Sequence, residues 1–264
     1  MPVARLGGCV RRCHGSHMPS IDVAHVFAQH AMQAKDAAGL AELLHEVCDW
    51  LGCSWFALSH HVDFLAAPGR GVRIHNYPPE WARWFDERRL GLSDPIHRES
   101  QHRLAGFLWH DLSMRTAPRP EDAEIWKRAR RHGIGDGLTV PAHLPGEAHG
   151  SVSFAWAPGI QATPEALHFA QIVGAHAFEA ARLLANPELR VPGPRLTDRQ
   201  RECLIWAACG KSSWDTSRII GLGRDTVKEH LRNARTRYGT YGGITLTVRA
   251  LFAGDISFGD LAGR

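Results

Sequence analysis

Apolar residues recur at helical spacing over Ile21–Ala34 and again over Ala37–Leu51, where Leu40, Leu43, Leu44, Val47 and Leu51 share one face. Gly52 is placed to end the second helix. The pattern then predicts a strand over Ser54–His60, with Gly71–Asn76 as its hairpin partner after Pro68-Gly69. Short helices follow over Pro78–Glu87 and Pro95–Gln101, and a longer one over Glu121–His132, stopped by Gly133. The charges of the longer helix (Lys127, Arg128, Arg130, Arg131) read as a solvated face. Gly137–His143 and Ser151–Trp156 alternate as two further strands, and Thr163–Ala185 is a long amphipathic helix. Strands enclosed by helices and joined by short links predict an α+β fold, an α-β-α sandwich around an antiparallel sheet.

Asn186–Pro194 holds three prolines and a glycine and reads as a linker. Beyond it the pattern is purely helical. Thr197-Asp-Arg-Gln200 and Ser212-Ser-Trp-Asp215 are capping boxes, in which a hydroxyl and a longer side chain satisfy orphan N–H groups reciprocally. They open helices to about Cys209 and Ile220, and Gly221-Leu-Gly223 turns the chain into a third helix from Asp225 to Arg237. Helix, glycine turn and helix make a helix-turn-helix, with Ser217 small where the two helices approach. In the last helix Val227, Leu231, Ala234 and Tyr238 form a stripe to bury. Arg224, Lys228, Arg232 and Arg235 line another face, a row of cations suited to phosphates or guanine edges in a major groove.

Charge sharpens this division. The 264 residues carry a net charge of only +4, which looks small for a nucleic-acid binder. Residues 195–264 hold 12 Lys or Arg against 7 Asp or Glu, whereas residues 18–194 hold 16 against 20. The first 17 residues add three Arg. A basic C-terminal module is joined to a mildly acidic one. The expected organisation is a disordered leader or misassigned start at 1–17, an α+β domain at 18–185, a linker at 186–194 and a helix-turn-helix, nucleic-acid-binding domain at 195–264. Either Met1 or Met18 serves as the start.

Other chemistries find little support. No unbroken apolar run suits a membrane helix, and the N-terminus lacks the apolar centre of a signal peptide. Six cysteines do not form a disulfide framework, and Cys48, Cys53, Cys203 and Cys209 read as small core residues. Cys9-x3-Cys13-His14 lacks haem-attachment or zinc spacing, and the 17 histidines are scattered. No nucleophile elbow or paired-carboxylate motif is present. The expectation is no enzyme, no catalytic residue, no metal and no cofactor, in a reducing cytoplasm.

Leu196-Thr-Asp-Arg-Gln-Arg-Glu-Cys-Leu204, Trp206, Gly210-Lys-Ser212 and Thr226-Val-Lys-Glu-His-Leu-Arg-Asn233 closely resemble the DNA-binding domain of LuxR-type transcription regulators. The resemblance covers about 60 residues and implies a four-helix, all-α domain whose third helix reads DNA. It makes Arg224, Thr226, Lys228, Arg232 and Arg235 the expected DNA contacts, with Lys228 and Arg232 at base edges. The fourth helix, Ile244–Gly254, would support dimerisation through Leu246, Val248, Leu251 and Phe252. The chain departs from the family at Gln200 (usually Glu), Gly223 (usually Ser) and Thr216-Ser217 (usually Ile-Ala).

Asn76-Tyr-Pro-Pro-Glu-Trp81, Asp94-Pro95, Trp109 and Gly133-Ile-Gly-Asp-Gly137 resemble the autoinducer-binding domain of the quorum-sensing branch. This resemblance covers roughly residues 20–180 and implies a pocket between the sheet and one helical layer. The implied ligand is an acyl-homoserine lactone. An indole N–H only donates and a carboxylate only accepts, which suits Trp81 to the lactone carbonyl and Asp94 to the amide N–H. Tyr77 and Ser153 match positions near the acyl carbonyl, and Trp109 would pack on the ring. Phe85 stands where the family has Tyr, so one pocket hydroxyl is missing. His61–Gly71 is longer than a minimal hairpin and would reshape the tail end of the pocket.

The expected function is a signal-responsive transcription regulator of quorum sensing, acting as a homodimer on a two-fold-related site in double-stranded DNA. RNA polymerase is a candidate partner. A ligand-independent helix-turn-helix regulator and a regulator responding to a non-lactone small molecule stay open as alternatives.

Overall fold

The computed structural model describes residues 20–66, 71–112, 119–144, 147–187, 193 and 195–262. The expected leader and most of the expected linker lie outside them. The chain forms two compact units, one comprising the described residues up to 187 apart from the short segment at 144–147 and the other comprising those from 193 onward.

The first unit opens with helices α1 (Ile21–Gln33) and α2 (Ala37–Leu51). The Asp36 side chain caps α2 by accepting from Gly39 N, and Gly52 ends it in the left-handed conformation at φ 66°. Strands β1 (Trp55–His60) and β2 (Arg73–His75) follow, then helices α3 (Pro79–Glu87) and α4 (Pro95–Ser100), strand β3 (Phe107–Leu108) and helix α5 (Asp122–Arg131). Strands β4 (Gly137–Ala142) and β5 (Gly150–Ala155) and helix α6 (Pro164–Ala185) complete the unit. The five strands form one antiparallel sheet in the order β2-β1-β5-β4-β3. The hairpin of β1 with β2 matches the pattern-based expectation. Strand β3 does not appear in the pattern, because two residues cannot display a period.

Register explains the two faces of this sheet. Phe56, Leu58, Ile74, Leu108, Leu138, Val140, Val152 and Phe154 point one way and pack with Val23, Phe27, Leu40, Leu44, Phe169, Val173 and Phe178 from α1, α2 and α6. Alternation sends Ala57, Ser59, Arg73, His75, Thr139, Ser151 and Ser153 to the other face. There a second, aromatic cluster gathers Trp81, Leu90, Ile96, Phe107, Trp109, Ile125 and Ile134 from the α3–α5 layer and its connections. A buried two-toothed ion pair braces that layer. Arg98 of α4 donates to both carboxylate oxygens of Asp122 of α5, at 3.0 and 2.7 Å. Arg128 does not join the solvated charges of α5, since its guanidinium lies 4.9 Å over the Trp84 ring.

The second unit is all helical: α7 (Asp198–Ala208), α8 (Ser213–Ile220), α9 (Arg224–Arg237), α10 (Gly243–Phe252) and α11 (Phe258–Ala262). Both capping boxes form. Leu204, Ile205, Ala234, Tyr238, Leu246, Ala250 and Ile256 make its core. Helix α11 adds a fifth short helix to the four expected. Asp255 ties this end back, accepting from Tyr238 Oη at 2.7 Å and from Leu196 N at 2.5 Å. Among the described residues no helix is long and apolar enough to cross a membrane.

Candidate functional site

The polar face of the sheet and the α3–α5 layer enclose a cavity with about 890 Å³ of space free of protein atoms, part of it open to solvent. Tyr77, Trp81, Phe85, Asp94, Trp109 and Ser153, six positions far apart in sequence, all line it. Local structure places each one. Asn76 accepts from Phe56 N at 2.7 Å and donates to Ser54 O at 3.0 Å, pinning the start of the α3 segment to the edge of β1. Tyr77 follows at once, and Pro79 opens α3, which carries Trp81 and Phe85.

Asp94 sits at the N-cap of α4, with Pro95 in the first turn. Its Oδ1 accepts from both Ile96 N at 2.9 Å and His97 N at 3.1 Å. Capping thus uses one oxygen, and Oδ2 takes no part in those bonds. Burial pushes the Asp94 carboxyl above its ordinary value, opposed by the neighbouring His97 and Arg98 and by the two backbone N–H groups. The Trp81 indole N–H and the Tyr77 hydroxyl form no hydrogen bond among the described residues. Both face the same cavity as Asp94.

Trp109 is placed with more constraint than ring packing requires. Its Nε1–H donates to Thr139 Oγ1 at 2.8 Å, and Thr139 Oγ1 lies 2.8 Å from Ser153 Oγ. An indole can only donate, so Thr139 accepts there. Thr139 can then pass its own hydrogen to Ser153, leaving the Ser153 hydrogen for a third acceptor. The Trp109 ring lies over Gly137, where an added Cβ would come within 2.8 Å of it. The glycine-rich stretch around it is a structural hub. Gly133 O accepts from Trp55 Nε1, and Asp136 accepts from Ala162 N and pairs with His110.

Pattern reading misses His97, which lines the cavity, and Thr139, which bonds to the cavity residues Trp109 and Ser153. Thr139 could have been found from the alternation of its strand, which sends it to the same face as Ser153. His97 could not, because only the fold brings it there. Its ring stacks on His61 at 3.8 Å, its Nδ1 lies 2.9 Å from Gly91 O, and it meets Phe85 edge-on. A carbonyl only accepts, so Nδ1 carries the hydrogen in the neutral ring. Burial, then the neighbouring histidines, push His61 far below the ordinary imidazole value, so His61 enters this stack uncharged. The far wall carries Arg73, paired with Asp86 at 2.6 Å and lying 4.9 Å over the Phe64 ring.

In the second unit, α9 buries Val227, Ala234 and Tyr238 while Arg224, Thr226, Lys228 and Arg232 stay exposed and Arg235 is half-buried. Carboxylates of the same helix hold two of the cations, Lys228 to Asp225 at 3.4 Å and Arg232 to Glu229 at 2.6 Å. Gly223, the N-cap, offers no side-chain bond. On α10 the expected dimer face divides. Leu246 is buried and Leu251 packs partly into the unit's own core. Val248 and Phe252 are exposed, together with Ile244 one turn earlier.

These features define a two-part regulator, an enclosed small-molecule cavity on one unit and a helix-turn-helix with a cationic helix on the other. Comparison with known proteins bears on both parts. The autoinducer binding domain model matches residues 36–181, and that of bacterial regulatory proteins of the luxR family matches residues 194–249. The chain is 30% identical to the transcriptional activator protein VanR of Vibrio anguillarum, over 87% of this chain and 95% of VanR. It is 27% identical to the transcriptional activator protein LuxR of Aliivibrio fischeri, over 82% of this chain and 87% of LuxR. The crystal structure of Escherichia coli SdiA shares the fold, with a TM-score of 0.65 at 19% identity over 89% of this chain and 98% of SdiA. The protein belongs to the LuxR family and is a quorum-sensing transcription regulator, with a small-molecule signal domain and a DNA-binding domain.

Proposed function

We propose that the signal is an N-acyl-homoserine lactone and that it binds in the cavity between the sheet and α3–α5. The observation that carries this reading is the grouping there of an unpaired indole donor, Trp81, with a buried carboxylate, Asp94. Trp81 donates to the ring carbonyl and Asp94 Oδ2 accepts from the amide N–H. Tyr77 and Ser153 donate to the acyl carbonyl, and Phe85 and Trp109 pack on the ligand. Enclosed polar groups of this kind select by exclusion, because a ligand that leaves one of them unpaired suffers its full desolvation cost. In the DNA reading, two copies of the chain contact a two-fold-related site through Arg224, Thr226, Lys228, Arg232 and Arg235. The exposed Ile244, Val248 and Phe252 join the copies, and RNA polymerase is the downstream partner.

The test is thermal unfolding of the full chain against a panel of acyl-homoserine lactones. A lactone that binds the folded state raises the melting temperature. Trp81→Phe and Asp94→Asn, which keep size and cap, should each weaken binding about 10- to 100-fold through one lost polar contact. No shift across the panel would overturn the lactone reading. A second reading, a signal that is not a lactone, draws on Phe85, which removes a hydroxyl from the cavity; a shift with other small molecules alone would favour it.

A further inference from the structure

By composition Cys48 and Cys53 are small core residues; the fold makes them a pair. Helix α2 stops on left-handed Gly52, and the N–H groups of Gly52 and Cys53 both reach the Cys48 carbonyl, the latter at 3.0 Å. This is the helix stop in which the residue before the turn and the residue after it are pressed side by side. The bond keeps the two residues near the separation of about 4.4–6.8 Å between Cα atoms that a disulfide spans. Both cysteines are free thiols; Cys48 is buried and Cys53 is half-buried. Hydrogen bonding to the Cys53 side chain, followed by burial, pushes the Cys48 thiol up, so Cys48 keeps its proton next to Cys53. Cys53 is the more exposed of the two.

We propose that Cys48 and Cys53 are a peroxide-reactive dithiol that closes to an intramolecular disulfide. The Cys53 thiolate attacks one peroxide oxygen. The O–O bond breaks, the other oxygen leaves as hydroxide and takes up the proton that the Cys53 thiol released, giving water, and the sulfur is oxidised to a sulfenic acid. The Cys48 sulfur then attacks the Cys53 sulfur, the S–O bond breaks, and the Cys48 proton departs with the hydroxyl as a second water. Two thiols and one hydrogen peroxide become one disulfide and two waters.

The position gives this chemistry a consequence. Cys53 precedes Ser54, whose carbonyl accepts from Asn76, and Asn76 leads into Tyr77 on the cavity wall. Drawing Cys53 onto α2 pulls on the bracket that holds Tyr77, so the oxidised protein binds its signal less well. This coupling rests on the signal-binding reading above, whereas the disulfide itself does not.

The experiment treats the full chain with hydrogen peroxide, alkylates it, and digests it with trypsin. A single peptide, Asp36–Arg70, carries both cysteines and no others. The expected product is that peptide lacking two hydrogens and carrying no alkyl group. In Cys48→Ser protein the expected product is a Cys53 sulfenic acid trapped by dimedone. Two alkylated cysteines after peroxide, or Cys53 carried to sulfinic acid beside an alkylated Cys48, would overturn the proposal. The melting shift given by a binding lactone should then be several-fold smaller in oxidised protein and return with dithiothreitol. A formed disulfide with an unchanged shift removes the coupling and leaves the disulfide standing. No shift with any lactone in either form defeats the signal reading instead.

Discussion

The two units handle polar groups in opposite ways. The signal unit buries them: Asp94, Arg98, Asp122, Thr139, Ser151 and Ser153 are all largely shielded from solvent. The DNA unit displays them, with Arg224, Lys228 and Arg232 in solvent on one helix. A buried polar group acts as a discriminating contact because leaving it unpaired is expensive. An exposed cation contributes long-range attraction that salt weakens, which suits search along a charged polymer. The same side-chain types therefore carry recognition in one unit and attraction in the other.

The strongest way to break this contrast is to remove one member of an ion pair from each unit. Arg98→Ala strands the Asp122 carboxylate in a buried site, and loss of such a partner costs about 3–5 kcal/mol. Chemical denaturation should show that loss, while Asp225→Ala in the exposed pair with Lys228 should leave the denaturation midpoint where it was. The Asp122 carboxyl has an acid-side consequence. Burial pulls it up, yet the bonds from Arg98 and Arg119 N hold it below its ordinary value. Its stabilising contribution is present above the ordinary carboxylate range and is lost as pH falls through the lowered value.

A second break concerns DNA. Arg232→Ala removes a cation from the exposed row of α9 and, on the proposed base contact, should weaken specific binding by about 1–3 kcal/mol, read in gel shifts across a salt series. A shallower salt slope with specificity intact would move Arg232 from base edges to phosphates. A third concerns pH and the signal. Asp94 is raised by burial, and on the proposed reading a lactone amide would favour its ionised form. Lactone affinity should decline as pH falls through the raised range of Asp94, with no such decline in Asp94→Asn. Isothermal titration at several pH values checks this, and a flat profile in the unsubstituted protein would remove Asp94 from the contact. The smallest effect is at Gly223. Its extended backbone, φ −71° and ψ 146°, suits serine, and Gly223→Ser should stabilise α9 by a few tenths of a kcal/mol.

The sequence made some of this plain and hid the rest for identifiable reasons. Caps and glycine stops were legible because they are local: Thr197 with Gln200, Ser212 with Asp215, and Gly52 and Gly221 ending helices in left-handed geometry. Long strands showed their alternation. Trp81 and Asp94 were visible only through their spacing beside known family members, since a lone tryptophan or an Asp-Pro step normally reads as core or cap. The Trp109–Thr139–Ser153 relay, the Arg98–Asp122 brace and the His61–His97 stack join residues 14 to 36 positions apart. No local pattern announces such contacts. The pairing of Cys48 with Cys53 was hidden differently, because a short spacing becomes a contact only once the helix ends between them.

The alternation of the sheet also bears on how such a receptor can change. Phe56, Leu58, Leu138, Val140, Val152 and Phe154 hold the strands to α1, α2 and α6, while Ala57, Ser59, Ser151 and Ser153, interleaved with them on β1 and β5, face the cavity. On β1 and β5 alternate residues are thus committed to folding, and those between them are released for chemistry. A library confined to Ala57, Ser59, Arg73, His75, Ser151 and Ser153 would vary signal preference on a scaffold whose assembly is written on the reverse side. Lineages can drift toward new signals along the same route, one strand position at a time, without first losing the fold.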